Sequence, residues 1–355
     1  MNKKLVGLGL AAAAAVSLAA CGNRASKSSS SEASSSADTS VKAAIVTDIG
    51  GVDDRSFNQS AWEGLQEWGK AASLSKGNGY DNFQSASESD YITNLDSAVA
   101  GGYNLVFGIG FALESAIAEV APNNPNTHYV IVDSVVPDQD NVVSVGFADH
   151  EASYLAGVAA AKSTKTNHVG FIGGMEGVII DRFEAGFVAG AKSVNKDIKI
   201  TVDYAGSFGD AAKGQTLAAA QYAAGADVIF HASGGTGNGV FAAAKAENET
   251  RNEADKVWVI GVDRDQSAEG TYTSKDGKSS NFVLASTLKQ VGTSVKDIAT
   301  KAAAGDFPGG QVLQFSLKDK GVELAETNLS EDASKAVADA KQAILDGKVE
   351  VPEKP

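Results

Sequence analysis

The segment TDIGGVDDRSFNQSAWEGL, from Thr47 to Leu65, places three carboxylates, a Phe and an Asn between an apolar run and an amphipathic stretch. The apolar run, Ala43–Thr47, is rich in β-branched residues, which is typical of a buried strand. Residues Ser56–Gln59 have the S-x-x-Q form of a capping box, which predicts a helix with Ser56 as its N-cap. The segment is therefore a strand-to-helix junction with polar groups gathered at the end of the strand.

Apolar runs of the same kind recur along the chain and alternate with Ala-rich stretches of helical composition. These runs are Ala43–Thr47, Leu105–Ile109, Tyr129–Val132, Val169–Ile172, Val228–Phe230 and Trp258–Val262. Nearly continuous apolar strands separated by helices are typical of parallel sheets that are covered on both faces. The predicted class is therefore α/β.

Three of these runs end in the same residue type: AIVTD at Asp48, VIVD at Asp133 and VIGVD at Asp263. Ligands of open α/β sheets bind outside the carboxyl ends of the strands, so the three carboxylates are predicted to face one cleft. The alternative at each position is an Asp that only begins a turn or caps a helix.

Phe57 lies at the start of the predicted helix, where its ring is either a hydrophobic staple or a platform for a flat ligand. A second junction, Ile229–Lys245, has a Gly-rich loop whose N–H groups can donate to a ligand. Neither nucleotide-binding fingerprint is complete, and an Asp-lined cleft would repel phosphate. A neutral ligand with hydroxyl groups and a ring is favoured.

The N-terminal part of the chain is predicted to be a targeting segment. Residues 1–20 have a short basic start and an apolar run that ends in Leu-Ala-Ala before Cys21, which predicts a lipoprotein signal peptide with Cys21 as the lipidation site. Residues 21–40 are Ser-rich and read as a flexible tether. The remaining part, about 310 residues, is long enough for two lobes.

The formal net charge of the chain is -14, and no basic run is present that could neutralise phosphates. A nucleic-acid partner is therefore not expected. Phe183 and Phe187 are four residues apart in a predicted helix, a spacing that favours a role in packing.

Five motifs carry a resemblance to a known family. They are TDIGGVDDRSFNQSAWEGL from Thr47, DRFEAGFVAGAK from Asp181, GSFGDAAKG from Gly206, HASGGTGNGVFAAAK from His231 and VIGVDRDQ from Val259. In this order they resemble the motifs of the basic-membrane-protein family of lipoproteins, whose best understood members are purine nucleoside receptors that serve ABC importers. The resemblance covers the chain from about Val41 to Lys348.

The resemblance implies a type I periplasmic-binding-protein fold, with two doubly wound parallel-sheet lobes joined by a multi-strand hinge. The N-terminal lobe would comprise residues 41–147 and 285–307, and the C-terminal lobe residues 148–284 and 308–355. The ligand-binding residues that it implies are Asp48, Phe57, Asn58, Asp133, Phe208, Gly235, Asp263 and Lys289. Phe57 and Phe208 would stack on the base.

Base recognition would fall on Asp48 and Asn58, with Asp133 as a further candidate. Asp263, the backbone around Gly235 and Lys289 would hold the ribose.

The implied function is capture of a nucleoside such as guanosine, adenosine or inosine, and its delivery to the permease and ATPase subunits of an ABC importer. The protein would be anchored by lipid at the outer face of the bacterial cytoplasmic membrane. No catalytic activity, metal or cofactor is expected.

Two alternatives remain open. One is a receptor for a sugar or another small metabolite on the same fold. The other is a calcium-dependent nucleoside hydrolase, because TDIGGVDDRS also resembles the Asp-rich signature of those enzymes. The first Asp of that signature is replaced here by Val46, so a calcium site would have to be built from Asp48, Asp53 and Asp54.

Overall fold

The computed structural model describes residues 41–355, in which two six-stranded sheets are the main framework. The predicted signal peptide (1–20), Cys21 and the predicted tether (21–40) lie outside the described residues. Within residues 41–355, none of the helices combines the length and the apolar character that crossing a membrane requires.

The strands of the described part are Ala43–Thr47 (β1), Tyr80–Phe83 (β2), Leu105–Ile109 (β3), His128–Val132 (β4), Val142–Phe147 (β5), His168–Gly173 (β6), Lys199–Tyr204 (β7), Val228–Ala232 (β8), Trp258–Gly261 (β9), Thr271–Thr273 (β10), Ser279–Asn281 (β11), Val283–Lys289 (β12), Val312–Phe315 (β13) and Val322–Glu326 (β14). Its α-helices are Phe57–Ala71 (α1), Tyr91–Ala100 (α2), Glu114–Val120 (α3), Asp149–Ser163 (α4), Val178–Val194 (α5), Ala211–Ala223 (α6), Gly237–Glu249 (α7), Val291–Ala303 (α8) and Glu331–Leu345 (α9).

The first sheet has the strand order β13-β5-β4-β3-β1-β2, and all of its neighbouring strands are parallel. The second sheet has the order β14-β12-β9-β8-β6-β7, and only the pair β12 and β14 is antiparallel. Each sheet with its covering helices is called a lobe below. The predicted α/β class is confirmed, and each of the six predicted apolar runs overlaps a strand.

Strand β1 shows why the sheets are buried on both faces. Its five residues are fully buried, and successive side chains point to opposite sides of a strand. Ala43 and Ile45 belong to one apolar core, whereas Ala44 and Val46 belong to another on the opposite face. A strand between two cores must be apolar at every position, which explains its unbroken apolar sequence.

The chain crosses between the two lobes three times. The crossings follow Phe147 at the end of β5, Lys289 at the end of β12 and Phe315 at the end of β13. They lie side by side, because Ala148 N–H donates to Phe315 O at 2.7 Å and Gln290 N–H donates to Gly321 O at 2.9 Å.

The strands divide the lobes differently from the expected boundaries. The resemblance implies that residues 285–289 belong to the N-terminal lobe, but β12 pairs with β9 in the second sheet. It implies that residues 308–315 belong to the C-terminal lobe, but β13 pairs with β5 in the first sheet. The apolar sequences of these strands do not show which sheet they join, since tertiary contacts decide the pairing.

Helices α4 and α5 of the second lobe pack at unusually close range. An added Cβ at Gly186 would lie 2.2 Å from His150 O, and one at Gly190 would lie 2.0 Å from Tyr154 O. The glycines therefore let the two helix backbones touch.

Gly186→Ala is expected to lower the free energy of unfolding by about 2–3 kcal/mol, because the new methyl group would force the helices apart. In an unhindered helix the same change is stabilising by up to about 1 kcal/mol, so the sign of the effect is diagnostic. Urea denaturation measures it. Lys192→Ala, at an exposed position of α5, is the control and should change stability by less than about 0.5 kcal/mol. A Gly186→Ala protein as stable as the parent would contradict the close packing.

Candidate functional site

A cavity lies at the carboxyl ends of the strands, and residues from both lobes line it. It contains about 490 Å³ of space outside the protein atoms, part of which is open to solvent. The residues that line it are Asp48, Asp54, Phe57, Asn58, Gly110, Phe111, Asp133, Ile179, Ile180, Phe183, Phe208, Ala232, Ser233, Gly234, Val262, Asp263 and Lys289.

The structure brings seven of the eight predicted site residues to this cavity: Asp48, Phe57, Asn58, Asp133, Phe208, Asp263 and Lys289. The eighth, Gly235, lies one residue beyond Gly234, which lines the cavity in its place.

Asp48 and Asn58 form one polar corner of the cavity. Asp48 Oδ1 accepts hydrogen bonds from Gly50 N–H and from Asn58 Nδ2, both at 2.8 Å. These contacts fix the carboxylate of Asp48 and leave the Asn58 Oδ1 atom buried without a hydrogen-bond partner. Buried polar atoms are rarely left unpaired in proteins, so Asn58 Oδ1 is available to a ligand.

The helix that carries Phe57 and Asn58 is capped by Asp54, not by Ser56. Asp54 Oδ1 accepts from the N–H groups of Ser56 and Gln59, and Asp54 Oδ2 accepts from Asn58 N–H. Ser56 occupies the N-cap position of α1, but its side chain makes no capping hydrogen bond. The predicted capping box is therefore wrong, because an Asp two residues earlier takes the amides that Ser56 would have accepted.

Ser56 instead connects the two lobes. Its hydroxyl donates a hydrogen bond to Asp263 Oδ2, and both residues are buried. Asp263 follows β9 with a φ of 66°, and Asp133 follows β4 with a φ of 67°. Few residues other than Gly adopt this left-handed conformation, and backbone strain of this kind is concentrated at functional sites. The side chains of Asp133 and Asp263 both line the cavity.

Lys289 is a buried cation between acidic groups of both lobes. Its Nζ lies 2.5 Å from Asp133 Oδ2 and 3.1 Å from Asp149 Oδ1. Lys289 N–H also donates to Asp263 O at 2.9 Å, which fixes its backbone beside the strand-end Asp of β9. Asp133 Oδ1 is buried without a hydrogen-bond partner and is a second atom available to a ligand.

Aromatic rings form the apolar walls. The Lys289 ammonium lies 5.2 Å from the Phe57 ring centroid and 5.7 Å from that of Phe183. Across the cavity, the Phe208 ring meets Phe111 edge to face at 6.0 Å between centroids. Phe183 was expected to serve packing alone, but it also lines the cavity. Phe111 also lines the cavity, and no feature of the sequence predicted this apart from its position just after β3.

Burial dominates the electrostatics of the cavity. It raises the pKa of Asp48 to about 6, and hydrogen bonds from Gly50 N–H and Asn58 only partly offset it. Burial likewise raises the pKa of Asp263 to about 6, against the opposing effect of Lys289. Burial lowers the pKa of Lys289, but Asp133, Asp149 and Asp263 outweigh it and the net pKa is raised. Lys289 is therefore charged at neutral pH.

Side chains at one rim of the cavity hold the lobes together. Gln266 Nε2 donates to Arg55 O at 2.9 Å, Arg264 Nη1 lies 3.1 Å from Glu63 Oε1, and Arg55 pairs with Glu269. The cavity is thus in a closed arrangement. These contacts join residues about 200 positions apart, and no sequence pattern indicated them.

The carboxylates proposed for a calcium site are not arranged for one. Asp53 is exposed, and both oxygens of Asp54 accept backbone N–H groups. Among residues 41–355 no group of three or more His, Cys, Asp or Glu side chains is placed to hold a metal ion.

A model of the Bmp family, described as PnrA-like ABC transporter substrate-binding proteins, matches residues 41–355. The chain is 58% identical over 355 residues to an ABC transporter nucleoside-binding protein, BmpA, of Lactococcus lactis, covering 100% of both chains. It is 52% identical over 360 residues to a CD4+ T-cell-stimulating antigen of Listeria monocytogenes, again covering 100% of both.

A more distant relative and a solved structure are also similar to the chain. Basic membrane protein A of Borreliella burgdorferi is 33% identical over 282 residues, which are 78% of this chain and 77% of the relative. A solute-binding protein of an ABC transporter system from Aeropyrum pernix has a similar fold, with a TM-score of 0.75 at 24% identity over 88% of this chain and 94% of that one.

Asp54→Ala is expected to lower the free energy of unfolding by about 2–3 kcal/mol, because it leaves buried amide groups at the start of α1 without an acceptor. Asp53→Ala is the matched control, since Asp53 is the exposed neighbour and should change stability by less than about 0.5 kcal/mol. Guanidinium denaturation of both variants makes the comparison. Equal stabilities of the two would show that Asp54 is not the cap of α1.

Proposed function

The chain belongs to the Bmp family of PnrA-like ABC transporter substrate-binding proteins, and we propose that the ligand it captures is a nucleoside, with a purine nucleoside as the preferred form. It is a binding protein and not an enzyme, and it acts on the extracytoplasmic side of the membrane. Its partners in the proposal are the permease and ATPase subunits of an ABC importer, to which the closed protein delivers its ligand.

One observation carries the choice of ligand. Strand-end carboxylates from both sheets, Asp48 and Asp133 from the first and Asp263 from the second, line one cavity that also presents aromatic rings. A nucleoside combines an apolar ring face, a polar ring edge and vicinal hydroxyl groups. The cavity offers a matching group for each of these three features.

The base is assigned to the corner formed by Asp48, Asn58 and Phe57. Asn58 Oδ1 is an unpaired acceptor, and Asp48 Oδ2 is not used in its hydrogen bonds to Gly50 and Asn58. Both can accept from N–H groups on the edge of a purine. The rings of Phe57 and Phe208 cover its faces, a contact that tolerates different bases.

The ribose is assigned to Asp263, Lys289 and the turn at Ser233 and Gly234. Asp263 is an acceptor for hydroxyl donors, and Lys289 is a donor. The resemblance implied Asp133 as a further candidate for base recognition, but we assign it to the ribose, because it pairs with Lys289 at 2.5 Å. Hydrogen bonds to charged groups in a closed site contribute about 1.5–3 kcal/mol each.

The proposal predicts that changes at the two ends of the cavity affect different parts of the ligand. Phe57→Ala should weaken binding of inosine and of hypoxanthine by about 1–3 kcal/mol, because both lose stacking. Asp263→Asn should weaken inosine about 10- to 150-fold, because the hydroxyl groups lose a charged acceptor, and should leave hypoxanthine nearly unchanged. Asn is chosen because it tolerates the φ of 66° at this position.

Isothermal titration of the purified protein with inosine, guanosine, uridine, hypoxanthine and ribose makes the measurement. Asp265→Asn, at an exposed position in the same loop, is the matched control and should bind as the parent does. Binding of free sugars in preference to every nucleoside would overturn the proposal in favour of a sugar receptor. Inosine binding to Asp263→Asn at parental affinity would remove Asp263 from the site.

Lipid anchoring through Cys21 is part of the proposal and rests on the sequence around Cys21 alone. Cys21→Ser should leave the protein without a fatty acid and release it from the membrane, because the lipid is the predicted attachment. Membrane fractionation after labelling with a radioactive fatty acid tests this in cells. A Cys21→Ser protein that is labelled and sedimented like the parent would contradict the anchor.

A further inference from the structure

Asp149 is a buried carboxylate that the proposed ligand contacts do not use. It is the first residue of α4, its exposed fraction is 1%, and apart from Lys289 its side-chain oxygens have no hydrogen-bond partner among the described residues. It does not line the cavity. Leaving such a group in the interior is unfavourable unless a counter-ion accompanies it, and the Lys289 Nζ atom lies 3.1 Å away.

We propose that Asp149 is a positioning residue for the ligand site: it holds the Lys289 ammonium at the junction of the lobes, so that Lys289 faces Asp133 and the cavity. The inference rests on the proposed function, in which Lys289 contacts the ribose. It concerns a residue that touches no ligand and acts through its neighbour.

The position of Asp149 in the chain supports this role. It follows β5 at the first crossing between the lobes, and Lys289 ends β12 at the second crossing. The ion pair therefore joins two crossings directly. Glu151, in the same turn of α4, serves the third, because its Oε2 accepts from Leu317 N–H at 2.8 Å. Two acidic side chains in the first turn of α4 thus contact the second and the third crossing.

The surroundings of Lys289 explain why one acidic partner is insufficient. The ammonium is enclosed by the rings of Phe57, Phe147 and Phe183, with centroids 5.2, 5.2 and 5.7 Å away. It has three donors and little access to water. The ammonium pairs with Asp133 of the first lobe and with Asp149 at the start of α4. Without Asp149, the ammonium is free to turn fully to Asp133 and to leave the direction that the ribose requires.

Burial and the Lys289 ammonium act on the pKa of Asp149 in opposite directions. Burial raises the pKa of Asp149 to about 7, with Lys289 as the main opposing influence and with Asp133 and Asp263 adding to the rise. The Lys289 ammonium is thus the group that favours the charged form of Asp149 most strongly.

A double-mutant cycle tests the proposal. Inosine is titrated into the parent, Asp149→Asn, Lys289→Gln and the double variant. Asp149→Asn is expected to weaken inosine binding about tenfold or more in the parent, but less than about threefold when Lys289 is already Gln. Glu151→Gln is the matched control in the same helical turn and should bind inosine as the parent does. A folded Asp149→Asn protein with parental affinity, or an equal loss in both backgrounds, overturns the proposal.

A measurement without ligand separates this inference from the proposed function. In protein labelled with ¹³C at lysine Cε, the Lys289 signal is assigned by its loss in Lys289→Gln. Asp149→Asn should shift this signal, because the ammonium loses a carboxylate 3.1 Å away. If the parent binds no nucleoside, the proposed function fails while the shift still supports the positioning role. A Lys289 signal at the same position in the parent and in Asp149→Asn overturns the positioning role, and Asp149→Glu replaces Asp149→Asn in this comparison if the latter cannot fold.

Discussion

The two lobes meet at the ion pairs that the buried Lys289 ammonium forms with Asp133 and Asp149. An isolated charge in a protein interior is strongly unfavourable, so Lys289 requires its acidic partners. Asp133 belongs to the first lobe and Asp149 begins the helix that leads into the second. Because the two carboxylates are buried as well, each of the three groups depends on the others, and a change at one of them leaves a buried charge with fewer partners.

The same dependence explains why the cavity is selective in the proposal. Several acidic groups are withdrawn from water near one another, which raises the pKa values of Asp48 and Asp263. Two buried acceptors, Asn58 Oδ1 and Asp133 Oδ1, have no partner within the described part of the protein. A ligand with hydrogen-bond donors beside these two atoms removes the cost of burying unpaired acceptors. A ligand that lacks such a donor leaves that cost in place.

The sequence predicted the class of the fold and the strand-end carboxylates of the cavity because both depend on local patterns. Unbroken apolar runs marked strands such as Ala43–Thr47, and parallel sheets bring strand ends such as Asp48 and Asp263 to one edge. The ligand assignments of these residues came from the family resemblance and remain predictions. The prediction that Ser56 caps α1 was wrong, because a capping pattern does not show which of two nearby acceptors, Ser56 or Asp54, reaches the amides. The expected boundaries put most of β12 and all of β13 in the wrong lobe, because contacts between residues distant in sequence decide which strands they pair with.

Three adjacent crossings have a mechanical consequence for the relative motion of the two lobes. Two lobes joined by a single strand can twist and slide in many directions. Two lobes joined by three short, neighbouring connections keep mainly one motion, a hinge rotation about an axis near the crossings. Rotation about the crossings then changes two things together, the separation of the outer rims and the access to the cavity.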